Sequence, residues 1–156
     1  MKVFGRFCAR GEGEAPALVL SEALSFWGGV EVQTGNIVDH SHPDLGKCVA
    51  GRILVMPGGR GSSSSSSVLA EAIRRGTAPI GILLARADPI LAVASIVADT
   101  LYNLRCPIVV CSIGGIATGD RVRISMVKPG AAYAEILSGA GGEAQIDVVA
   151  VAGRPD

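Results

Sequence analysis

Apolar residues gather most clearly in the middle of the chain. Arg52-Ile53-Leu54-Val55-Met56-Pro57 is an unbroken run closed by Pro and Gly, which predicts a buried strand. Gly58-Gly59-Arg60-Gly61 predicts a turn. Beyond six serines, Val68 to Arg75 has apolar residues at 68, 69, 72 and 73, the spacing of one helix face. Gly76 is a natural stop, and Arg74 and Arg75 suit the negative end of the helix dipole. Ile80 to Ala85 reads as a second strand. Asp88-Pro89 reads as an N-cap with proline at the first helical position, opening a helix that runs to about Leu104. Pro107 to Cys111 reads as a third strand. The order strand, helix, strand, helix, strand implies parallel pairing.

The ends have a different pattern. Lys2–Ala9 and Ala15–Leu20 are short strand-like runs joined by Gly-rich turns, and 120–127, 131–138 and 145–152 are three more. Arg121-Val122-Arg123-Ile124-Ser125 alternates polar and apolar, as a strand with one wet face does. The predicted class is therefore α/β: β-rich termini around a central β-α-β-α-β unit, in a single domain spanning 1–156.

Composition narrows the partners. Of the 156 residues, 14 are Lys or Arg and 14 are Asp or Glu, a balance that argues against nucleic acid or an anionic membrane surface. The longest uncharged stretch, Cys106 to Gly119, has 14 residues, too short to span a bilayer. No basic-then-apolar leader opens the chain, so the expected location is the cytoplasm. Cys8, Cys48, Cys106 and Cys111 form no C-x-x-C pair and read as reduced, mostly buried residues, with Cys106 and Cys111 on opposite faces of their strand. His40-Ser41-His42-Pro43 reads as a surface turn. Ser25-Phe26-Trp27-Gly28-Gly29-Val30 is the one aromatic cluster, either a hydrophobic plug or a wall of a ligand or partner contact.

The candidate chemistry lies in the turn after the first central strand. Ligands of open α/β units bind beyond the carboxyl ends of strands, where this turn places Gly58 to Ser64. Glycines allow close backbone approach, and amides at the helix start favour negative charge. Arg60 offers a guanidinium for a carboxylate or phosphate. Three roles are open for the serines: capping the helix, binding an anion together with Arg60 and Gly61, or, for Ser62 at the tip, acting through an activated hydroxyl. The last requires that hydroxyl to be shielded from bulk water beside convergent amide donors. Competing motifs fail. Gly114 and Gly119 have phosphate-loop spacing, but Asp120 stands where Lys is needed, and no G-x-S-x-G elbow occurs.

The ordered motifs Leu24-Ser25-Phe26-Trp27-Gly28-Gly29-Val30, Thr34-Gly35, Asp39-His40-Ser41-His42-Pro43, Gly51-Arg52-Ile53-Leu54-Val55, Gly59-Arg60-Gly61-Ser62-Ser63, Gly76-Thr77-Ala78-Pro79 and Ala87-Asp88-Pro89-Ile90 resemble the small subunit of aconitase X across nearly the whole chain. The resemblance implies a swivelling β/β/α domain of the aconitase superfamily with a barrel-like sheet. It implies docking on a large catalytic subunit that carries an iron–sulfur cluster or iron site, with none on this chain, and elimination of water from a small hydroxy acid. Ser62 occupies the position of the family's base; Arg60, Gly61, Ser63 and Ser64 are the accompanying substrate-binding candidates. Two family activities follow: dehydration of cis-3-hydroxy-L-proline to Δ1-pyrroline-2-carboxylate, and of mevalonate 5-phosphate. The archaeal turn typically carries a Thr and a non-serine after the first Ser. The unbroken Ser62–Ser67 run resembles the bacterial, hydroxyproline type. A lone Ser without base or metal ligands cannot run a dehydration, which itself calls for a second chain. A stand-alone anion-binding module and a structural subunit whose serines only cap the helix are the rival readings.

Overall fold

A computed structural model of the chain describes residues 2–138. The predicted central unit is present. Strands β3 (Ile53–Met56), β4 (Gly81–Leu84) and β5 (Ile108–Cys111) lie parallel, with Leu54 beside Ile82 and Leu83 beside Val109. Helix α1 (Ser65–Arg75) joins β3 to β4, and α2 (Pro89–Tyr102) joins β4 to β5. All four residues of β3 are fully buried, because both faces of the strand are covered.

The β-rich ends close this layer into a ring. Strands β1 (Lys2–Ala9), β2 (Gly13–Val19), β6 (Arg121–Lys128) and β7 (Ala131–Ser138) complete a closed barrel in the order β1-β5-β4-β3-β2-β6-β7. β7 returns to pair antiparallel with β1, Glu135 against Lys2 and Ala131 against Arg6. β2 bridges the two halves, parallel to β3 and antiparallel to β6.

Alternation along the strands sorts side chains into two apolar clusters. Ala17, Ile53, Val55, Leu83, Val109, Val122, Ile124, Ala132 and Ala134 fill the barrel interior. Leu54, Met56, Ile82, Leu84 and Ile108 face outward and pack beneath Leu69, Ala72 and Ile73 of α1 and Leu91, Ala94 and Ala98 of α2. The segment between β2 and β3 adds Leu20, Leu24, Phe26, Ile37 and Val49 to this outer cluster. Interior alanines pair with larger residues across neighbouring strands, Ala17 with Ile53 and Ala134 with Ile124. Cys106 and Cys111 fall in different clusters, as their spacing predicts.

Boundaries differ from the sequence pattern in informative ways. α1 begins at Ser65, three residues before the apolar face starts, because Ser65 is itself buried at 3% exposure. α2 ends at Tyr102, since Asn103 adopts a left-handed conformation (φ 54°) and turns its amide back to Ala98 and Asp99. His42 is buried within what reads as a surface turn. Its Nδ1 accepts from the Asp44 amide at 3.0 Å, so Nε2 is the nitrogen left to donate to the Glu22 carbonyl, 3.3 Å away. The run 145–152 lies outside the described residues. No helix among those described is long and apolar enough to cross a membrane.

Candidate functional site

The serine turn leaves the carboxyl end of β3 beside the end of β4, and its glycines are required by what stands next to them. A Cβ on Gly59 would run into the Asp88 carboxylate. Gly61 has φ +98°, and a Cβ there would meet the hydroxyl of Ser25. Gly59 also forms a parallel bridge with Leu24. The turn is thereby packed between the 24–27 segment on one side and the start of α2 on the other.

Ser62, Ser63 and Gly61 are exposed at the tip, and Ser64 is half-buried. The Ser62 Oγ accepts a hydrogen bond from the Ser64 amide at 3.1 Å. Ser64 is the N-cap of α1, in helical conformation, and no side chain caps that end. The next three amides, Ser65, Ser66 and Ser67, donate to the carbonyls of Ser62, Ser63 and Ser64 at 3.0, 3.2 and 3.1 Å. One amide, not several, is therefore directed at the Ser62 oxygen. The Ser66 hydroxyl donates to the Ser63 carbonyl at 2.8 Å, stiffening the tip. The described residues of this chain leave Ser62 open to solvent, so the shielding that an alkoxide needs has to come from elsewhere.

Arg60 has an acidic partner among the described residues. Its guanidinium pairs with Asp39 at 3.2 Å. The Asp39 carboxyl is held below its ordinary value first by the Ser41 hydroxyl and amide, with the Arg60 charge adding to them. A second arginine, Arg86, lies against Gly58. The Arg86 amide donates to the Pro57 carbonyl at 3.1 Å, and its guanidinium lies 3.4 Å from the place a Gly58 Cβ would occupy. Arg86 has no acidic partner among the described residues, whereas Arg60 does. Its signal in the sequence was position alone: it follows β4 as the serine turn follows β3, and parallel neighbours place their carboxyl ends side by side.

Asp88 is a helix cap, as predicted. Its Oδ1 accepts from the Ile90 and Leu91 amides at 2.9 and 3.3 Å. The aromatic cluster divides in two. Phe26 is buried at 1% exposure and plugs the outer core, while Trp27 is 58% exposed.

The described residues do not fit a metal centre. All four cysteines are free, and no group of three or more His, Cys, Asp or Glu among the described residues is disposed to hold an ion. Burial pushes the Cys106 and Cys111 thiols up to about 12, which disfavours the thiolate that iron ligation needs.

A family model described as the aconitase X swivel domain matches residues 2–130. The phosphomevalonate dehydratase small subunit of Methanopyrus kandleri is 52% identical over 86 residues, 55% of this chain and 64% of that one. The cis-3-hydroxy-L-proline dehydratase of Pseudomonas aeruginosa is 44% identical over 103 residues, 66% of this chain but 18% of that one. This chain thus spans less than two thirds of either relative. A chain of the crystal structure of Thermococcus kodakaraensis aconitase X in its holo-form superposes with a TM-score of 0.76 at 31% identity, covering 86% of this chain and 98% of that one.

Proposed function

Since the chain belongs to the aconitase X swivel-domain family, we propose that it is the small subunit of a hydro-lyase and supplies the base, Ser62, to a site completed by a large subunit. The observation that carries this reading is the Ser64 amide donating to the Ser62 Oγ at 3.1 Å on an exposed, glycine-braced turn. That amide stabilises negative charge on the oxygen by a charge-assisted hydrogen bond, and the adjacent helix start adds its positive dipole end.

In the reaction, deprotonated Ser62 takes the proton from the carbon next to the substrate carboxylate. The electron pair of that C–H bond becomes the new double bond as hydroxide leaves the neighbouring carbon. Gly61, Ser63 and Ser64 shape the turn against the substrate, and Arg60 holds the 39–43 loop beside it through Asp39. The iron–sulfur or iron centre implied by the family belongs on this reading to the large subunit, because the described residues here offer no fitting donor set. Closing of the two subunits excludes water from Ser62.

The hydroxy acid is cis-3-hydroxy-L-proline, supported by the unbroken serine run and by the Pseudomonas relative. A second reading, mevalonate 5-phosphate, is supported by the higher identity to the Methanopyrus small subunit. The test is to co-express the chain with its large subunit and assay both compounds, with Ser62→Ala alongside. Loss of turnover with intact assembly is expected. Near-normal turnover of Ser62→Ala overturns the base assignment, and conversion of mevalonate 5-phosphate alone overturns the hydroxyproline reading.

A further inference from the structure

Immediately beside the serine turn, a large apolar side chain is held out into solvent by buried polar groups. Trp27 is 58% exposed, while Ser25 and Ser65 beneath it are 9% and 3% exposed. The Ser25 hydroxyl donates to the Trp27 carbonyl at 3.0 Å, and the Trp27 amide donates to the Ser65 Oγ at 3.1 Å. The two hydroxyls lie 3.4 Å apart. With the Ser25 proton committed to the carbonyl, Ser65 is the donor between them, and the network closes. Both backbone polar groups of one exposed residue are thus clamped by interior side chains. The same Ser25 hydroxyl abuts Gly61, next to Ser62. No ring stacking or cation–π contact involves Trp27 among the described residues.

We propose that Trp27, clamped by Ser25 and Ser65 at the edge of the serine turn, is the anchor on which the large subunit docks over Ser62. The proposal rests on the small-subunit reading above. Ser25 touches both the Trp27 backbone and Gly61, so a partner that covers Ser62 comes down next to Trp27. Tryptophan is the residue type most concentrated at the energetic centres of interfaces, where a large apolar ring is desolvated in a partner's pocket. Pre-ordering by the two serines removes part of the conformational entropy that docking would otherwise cost. Phe26, the preceding residue, supplies the core contact of this segment, while most of Trp27 stays in solvent.

Trp27 is the sole tryptophan of the chain, so 5-fluorotryptophan incorporation places a single ¹⁹F reporter at this position. On titration with unlabelled large subunit, its resonance is expected to shift and to lose its H₂O/D₂O solvent-isotope difference. Trp27→Ala is expected to weaken subunit association by tenfold or more in sedimentation or calorimetry, with an unchanged melting temperature, and Trp27→Phe to recover most of it. A complex that forms with the resonance unmoved, or Trp27→Ala binding normally, overturns the proposal and leaves the role of Ser62 standing. A Trp27→Ala complex of normal affinity with a raised KM overturns it in favour of a substrate wall. A chain that forms no complex overturns the small-subunit reading and this proposal together, whereas Ser62→Ala with full turnover overturns only the base.

Discussion

β3 and β4 lie side by side in one parallel layer, and each ends in a turn that starts a helix, yet the two turns treat their amides in opposite ways. After β4, Asp88 closes its helix with one carboxylate oxygen on the Ile90 and Leu91 amides, and Pro89 removes a donor that would otherwise be left over. After β3 no side chain caps the helix, and the Ser64 amide is directed at the Ser62 hydroxyl. The Asp88 turn is complete in itself. The serine turn leaves three exposed residues at its tip and a hydroxyl whose environment is unfinished. The same β-α geometry therefore serves stability in one case and, if Ser62 is the base, chemistry in the other, the difference being whether the turn's amides meet a fixed carboxylate that caps the helix or a hydroxyl with a proton to lose.

Substitutions that exchange these properties test the contrast. The largest effect is expected from Ser62→Ala, which should lower turnover of the assembled enzyme by about 100-fold or more while association and melting temperature stay unchanged. Next is Gly59→Ala, whose new methyl collides with the Asp88 carboxylate and disturbs both turns at once. Denaturant unfolding should show a loss of about 1–3 kcal/mol, and adding Asp88→Ala should relieve part of the collision, so that the double variant loses less than the sum. Asp88→Ala alone should destabilise by about 1 kcal/mol and leave turnover within about twofold; a collapse of turnover would show that the second turn is also part of the chemistry.

The smallest effect concerns the far end of α1. Hydrogen bonds from Arg74 and then Arg75 pull the Glu71 carboxyl from its ordinary 4.5 down to about 2. A lowered carboxyl pKa means that the pairing is fully present above 4.5 and is lost as pH falls through about 2. The Glu71 side-chain carbon shift, followed by NMR, should titrate near 2, and because the cluster is exposed, high salt should move it back toward 4.5.

Legibility in the sequence followed the range of the interactions. The three parallel strands, the Asp88 cap and the helix stop at Gly76 rest on neighbours within a few residues, and apolar runs and cap residues revealed them. Closure of the ring was legible only through the family resemblance, which implies a barrel-like sheet; the residue pattern alone does not show it, because it depends on β7 reaching β1 across more than a hundred residues, and pairing at that distance leaves no local pattern. The start of α1 was hidden because serine has no strong helical preference, and burial of Ser65 under Trp27 decided it. Arg60 was expected free for a ligand. Its partner Asp39 sits in the irregular 20–52 segment, whose path no periodicity predicts. That segment also decides that Phe26 turns inward and Trp27 outward, although the two are adjacent and both aromatic.

A sheet that closes on itself offers no unpaired backbone rim to other molecules. Every described strand has two hydrogen-bonded neighbours, so the described sheet presents no template for strand addition, a known route from exposed β-structure to aggregates. What it does present is side chains, and recognition is thereby left to shape and chemistry on loops, which can change between relatives without loosening the ring that holds them.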